Sequence, residues 1–139
     1  MLARTSIALV ALLAAAPVLS AEDPKAFQCT FTNGLAHIYE KGEFAQEKGA
    51  PLAFGIAAID AQAQTADLTT ERGTGSLKIV HAVNATHFLE VVTEGWLHIT
   101  TVFDKDDAKG IYPAVHSRHF GLFGQPIVTQ YQGFCAAKG

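Results

Sequence analysis

Basic residues never cluster in this chain: ten Lys and Arg are spread over 139 residues, against thirteen Asp and Glu. A formal net charge of −3 with no polybasic run excludes the electrostatic footprint of a nucleic-acid binder and offers nothing to anionic lipid. Catalytic signatures are equally scarce. There is no Gly-x-Ser-x-Gly elbow and no oxyanion loop. No helical period appears beyond the N-terminal apolar run, and no later segment is long and apolar enough to span a bilayer. Cysteine is limited to Cys29 and Cys135, and neither has a second Cys or His at ligand spacing, which argues against a two-cysteine metal site.

The N-terminus does carry information. Arg4 supplies a positive start, and Ile7 to Val18 is an apolar run broken only by Pro17. The small residues Ser20 and Ala21 follow, then Glu22 and Asp23. This order predicts a cleavable secretory signal over 1–21, too short for a membrane anchor. Cys29 lies well past the apolar run, so a lipid-modified cysteine is not expected. The expected mature part, 22–139, is one domain by length, and losing Arg4 takes its formal charge from −3 to −4. Both cysteines fall in it, near its two ends. In an oxidising compartment they are expected to pair, closing a loop of about 100 residues worth up to ~4.7 kcal/mol in the chain-entropy model.

Short alternating strands separated by turns fill the rest. Phe27, Cys29 and Phe31 alternate with Gln28, Thr30 and Thr32. Asn33-Gly34 predicts a hairpin turn, with Leu35 to Tyr39 as the return strand. Glu40 to Pro51 reads as a polar loop, with room for a short helix and with Phe44 tucked inward. Further strands are expected at Leu52–Ile59, Thr65–Thr70, Leu77–Val83, His87–Thr93, Trp96–Phe103, Ile111–Arg118 and Ile127–Cys135. Glu94-Gly95 is an expected turn, and Pro113 argues for an edge position or a bulge. His119 to Pro126 reads as a connection. The fold class is therefore all-β: a small antiparallel β-barrel of about eight strands, with a β-sandwich as the alternative. A barrel gives the cysteines a role, since a Cys29–Cys135 bond would staple the seam between first and last strands. An outer-membrane barrel is not expected, because the strands read as shorter than the 9–11 residues such strands need.

Histidine is the most suggestive residue type. By alternation His37 shares a face with Leu35 and Tyr39, and His98 shares one with Trp96 and Thr100. Three neutral imidazoles from adjacent strands can surround a metal, which makes His37, His98 and His116 weak candidate ligands. The densest polar stretch is Ala114 to His119. Alternation sets His116 and Arg118 on one face and Val115, Ser117 and His119 on the other. His116 and Arg118, with a neighbour such as Tyr112, could grip a carboxylate or phosphate. Candidate ligand-binding residues are thus His116, Arg118, His119, Trp96, Tyr112 and Tyr131. Asp104, Asp106, Asp107 and Gly110 only faintly resemble a calcium loop, since the distal bidentate Glu is missing. No cofactor motif is present and none is expected.

The segments Phe27-Gln28-Cys29-Thr30-Phe31-Thr32-Asn33-Gly34, Gln64-Thr65-Ala66-Asp67-Leu68 and His98-Ile99-Thr100-Thr101-Val102 belong together with the tail. That tail holds His116-Ser117-Arg118-His119 and Gln130-Tyr131-Gln132-Gly133-Phe134-Cys135. Together they resemble small exported, largely uncharacterised proteobacterial proteins. The resemblance implies a periplasmic or secreted address and supplies no activity. A more distant similarity is to the periplasmic lysozyme inhibitors, barrels with a cysteine near each end, as Phe27-Gln28-Cys29 and Phe134-Cys135 are here; their Ser-Gly-rich loop is absent. The leading expectation is an exported, non-enzymatic binding module for a small molecule or an envelope or secreted protein. The alternatives are an enzyme inhibitor acting through a loop such as Asp104–Gly110, and a histidine-dependent metal site or enzyme built on His116, Arg118 and His119. Neither nucleic acid nor stable membrane insertion is expected.

Overall fold

The computed structural model describes residues 22–92, 96–122 and 124–139. The expected signal segment 1–21 and the expected Glu94-Gly95 turn lie outside them. The described chain is strand and turn, without helix. In order come β1 (Phe27–Glu40), β2 (Glu43–Lys48), β3 (Leu52–Asp60), β4 (Thr65–Thr70) and β5 (Gly73–Ala82). They are followed by β6 (Ala85–Val92), β7 (Trp96–Phe103), β8 (Tyr112–Leu122) and β9 (Gln125–Ala137). From β3 onward each strand pairs antiparallel with the next, and β9 returns to β1, from Phe27↔Ala137 to Ile38↔Ile127. The result is a closed eight-strand barrel, with β2 as an extra ninth strand on β1.

Closure depends on β1 being long, and here Asn33-Gly34 misleads. Gly34 is absent from the positive-φ glycines, and β1 continues through it, with a register shift against β9 between Phe31 and Asn33 in place of a turn. The hairpin turn comes at Lys41 and Gly42, whose φ values of 51° and 90° suit a two-residue type I′ loop. Gly34 serves another purpose: a Cβ there would sit 2.4 Å from the Tyr131 ring. The glycine lets an aromatic side chain lie against the backbone, and the long ladder to β9 outweighs the local turn preference.

The segment expected to be a polar loop is therefore β2. Leu35↔Lys48 and Phe31↔Leu52 share one register, so β2 and β3 form a single return strand interrupted at Gly49–Pro51. The Gly49 N–H still donates to Gly34 O at 2.8 Å within that break. Phe44 does not tuck inward; it is exposed and packs edge-on against Tyr39, also exposed. The expected connection His119–Pro126 is likewise mostly strand, since β8 reaches Leu122 and β9 begins at Gln125. Strands β1, β8 and β9 run 14, 11 and 13 residues, longer than alternation alone suggests. Pro113 sits one residue beyond the end of the β7 ladder, which starts at Ala114, so it occupies a local edge within a paired strand.

Alternation fills the interior with Phe27, Phe31, Phe54, Ile56, Leu77 and Phe88. Cys29 and Cys135 face each other across the β1–β9 seam, fully buried, and form a disulfide with Cα atoms 4.0 Å apart. Asp106 builds its own turn: its Oδ1 accepts from the N–H groups of Ala108 and Lys109, and its carbonyl accepts from Gly110. The aspartate faintly suggestive of calcium is spent on backbone.

Candidate functional site

Antiparallel pairing turns the two-residue period into rows of cross-strand neighbours. One inward row reads Phe88, Thr100, His116, Tyr131 and Gly34, on β6, β7, β8, β9 and β1. The next row toward the end that carries β2 reads Glu90, His98, Arg118 and Thr129. Beyond it, Trp96 stacks on Phe120 with ring centroids 4.9 Å apart. A polar belt is thus laid over an aromatic floor near one mouth of the barrel.

Donor chemistry fixes the protons in this belt. Arg118 Nε can only donate, and it does so to His116 Nε2 at 3.2 Å. The neutral ring must then carry its proton on Nδ1, which donates to Thr100 Oγ1 at 2.8 Å. Burial, with the positive charges of Arg118 and His98 nearby, pushes the His116 pKa from 6.5 down to about 3. His116 is therefore a neutral, fully engaged acceptor that orients Arg118. The Arg118 guanidinium also lies over the Tyr131 ring, 5.7 Å from its centroid. In the neighbouring row His98 Nδ1 donates to Glu90 Oε2 at 2.8 Å, an imidazole–carboxylate pair that is an ion pair only when the ring carries two protons.

Two buried polar atoms in this belt have no partner: His98 Nε2 and Thr129 Oγ1. They belong to the residues on either side of Arg118 in its row. Buried polar groups are nearly always satisfied, so these two atoms call for a polar partner, water included.

The belt opens on a cavity of about 600 Å³. Leu52, Phe54, Leu77 and Phe88 form apolar wall, and Glu71, Arg72, Glu90, His98, His116 and Arg118 contribute charged and imidazole groups. A smaller cavity of about 250 Å³ lies at the other end, bordered by Ile59, His81 and Tyr112. Phe88 borders both, so its buried ring forms part of the partition.

The sequence candidates separate accordingly. His116, Arg118 and Tyr131 come together, and Trp96 stands at the rim, 6.3 Å from the His98 ring. Tyr112 packs edge-on against Phe27 at the opposite end and cannot share a ligand with Arg118. His119 is exposed on the outer face, so His116, Arg118 and His119 form no joint site. His37 is apart from His98 and His116; Gln46 Nε2 donates to its Nε2 at 3.2 Å. No group of three or more His, Cys, Asp or Glu side chains among the described residues could hold a metal ion. Glu90 and Thr100 are site residues that the sequence reading missed. Glu90 left one signal: it shares the inward parity of Phe88, and an acid at core parity asks for a partner.

The fold and site define a class: a closed antiparallel barrel with a half-polar, half-apolar mouth. No family model, curated protein or solved structure matches the chain.

Proposed function

We propose that this protein is an exported binding module that holds a small molecule in the mouth of its barrel. The observation that carries this reading is one open cavity that combines an apolar wall with Arg118 and with His98, whose buried Nε2 has no partner. Its volume of about 600 Å³ lies within the range of small-ligand pockets, which join apolar lining to a few placed polar groups. The polar residues engage one another rather than forming a nucleophile and base: Ser117 lies on the opposite face of β8 from His116, whose proton is committed to Thr100. That supports a binder over a hydrolase.

A periplasmic or secreted address accompanies the reading. The signal-like N-terminus and the buried disulfide both favour an oxidising compartment. No described helix is long and apolar enough to cross a membrane.

Native mass spectrometry of protein taken gently from a bacterial periplasm tests the proposal. A small-molecule adduct is expected that disappears on denaturation and is lost in Leu68→Phe, which fills the cavity wall. Its companion is a titration of Trp96 fluorescence with envelope lipids and peptidoglycan fragments. A bare protein together with a flat titration would retire the reading.

A further inference from the structure

We infer that the ligand is a monocarboxylate with an apolar body, its carboxylate held by the terminal nitrogens of Arg118. This rests on the binding reading above and names the chemistry of that same site.

Arg118 is held on two sides. Its Nε donates to His116 Nε2, and its face lies over Tyr131. Neither contact uses the terminal Nη groups or neutralises the charge. No carboxylate forms an ion pair with Arg118 among the described residues, although Glu90 borders the same cavity and pairs with His98 instead. A half-buried guanidinium with a fixed plane and two free donors is a fork built for one planar anion. The hydroxyl of Thr129, directly across from Arg118, is unpartnered but buried, and Thr129 is not among the residues that line the cavity.

His98 Nε2 supplies the other half of the recognition. Because Nδ1 donates to Glu90, Nε2 is an acceptor on the neutral ring and a donor on the charged one. It can meet a hydroxyl or a carboxylate oxygen at the same place. Glu71 and Arg72, in the turn at the edge of the cavity, offset each other, and Glu90, which borders the cavity, opposes a dianion such as a phosphate monoester. The wall of Leu52, Phe54, Leu77 and Phe88 calls for an apolar body behind the charged head.

The test is calorimetric titration of the purified protein with octanoate, benzoate and naphthoate, each beside its primary amide, and with phenyl phosphate. An acid is expected to bind about 10- to 100-fold more tightly than its amide, the factor that charge-assisted hydrogen bonds supply. Arg118→Gln is expected to erase that preference. The acid–amide comparison in the unaltered protein needs no variant, so it stands even if Arg118→Gln fails to fold. Equal binding of acid and amide overturns the carboxylate assignment while leaving the binding reading intact. Phenyl phosphate binding more tightly than benzoate overturns it too. A preference that survives Arg118→Gln removes Arg118 from the role. Failure of every acid and every amide to bind overturns the carboxylate assignment, and the binding reading falls with it only if the protein is also bare in native mass spectrometry and flat in the Trp96 titration.

Discussion

Arg118 Nε donates to His116 Nε2 across 3.2 Å, between two side chains two residues apart on the same face of β8. The bond joins a permanent cation to a ring kept neutral by burial and by that same cation. Each defines the other: the neutral ring offers the lone pair that aims the guanidinium, and the guanidinium helps keep the ring neutral. Thr100 receives the remaining proton and completes the relay across β7 and β8.

A pH dependence follows. The His116 pKa is 6.5 unfolded and about 3 folded. Between those values the unfolded chain binds a proton that the folded chain refuses. Stability contributed by neutral His116 is therefore complete above pH 6.5 and is lost as pH falls, by about 1.4 kcal/mol per unit, until the folded value is reached. Urea denaturation across this window should show that slope. His116→Gln should flatten it, although Glu90, His98 and Arg118 stay in place. An unchanged slope would show that His116 is not the group responsible.

The seam disulfide should matter about as much as a large core side chain. Replacing Cys29 and Cys135 by Ala is expected to cost about 2–5 kcal/mol, because the bond closes nearly the whole described chain into one loop. Denaturant midpoints of the oxidised and reduced protein give the same comparison without mutation. Matching midpoints would mean that the β1–β9 ladder alone holds the barrel shut.

Gly34→Ala and Gly42→Ala separate two uses of glycine. Gly42 has open space around it and a φ of 90°, so alanine there should cost roughly 1 kcal/mol of backbone strain. At Gly34 the new Cβ meets the buried Tyr131 ring, and overpacking of this kind costs about 1–3 kcal/mol. The paired change Gly34→Ala with Tyr131→Leu should recover part of that loss, which a double-mutant cycle would measure.

Thr129→Val tests the orphan hydroxyl. Valine has nearly the same shape and removes a buried oxygen that has no partner. Stability of the ligand-free protein should hold or rise by about 1 kcal/mol, since an unsatisfied buried group is the costly case. A loss of stability would mean that the hydroxyl is satisfied after all.

Much of the fold is legible in residue order. Strand β4 and strand β7 fall where alternation and β-branched runs put them, at Thr65–Thr70 and Trp96–Phe103. The end-to-end cysteines announce a seam, and period two already sets His116 beside Arg118 and turns His119 away. All of these are relations between near neighbours, or between the two ends of a chain that must close. What residue order does not contain is register. Asn33-Gly34 carries a strong local turn preference, yet β1 passes through it because eleven paired positions with β9 outweigh one turn. Whether Glu90 meets His98, whether Thr129 lies across from Arg118, and whether Tyr112 falls at the far end depend on how eight strands slide along one another as the barrel closes. A slip of one residue would send every such side chain to the other face. The candidate residues were therefore visible in the sequence, but their company was decided by closure, because only a closed sheet brings non-local strands to a single register.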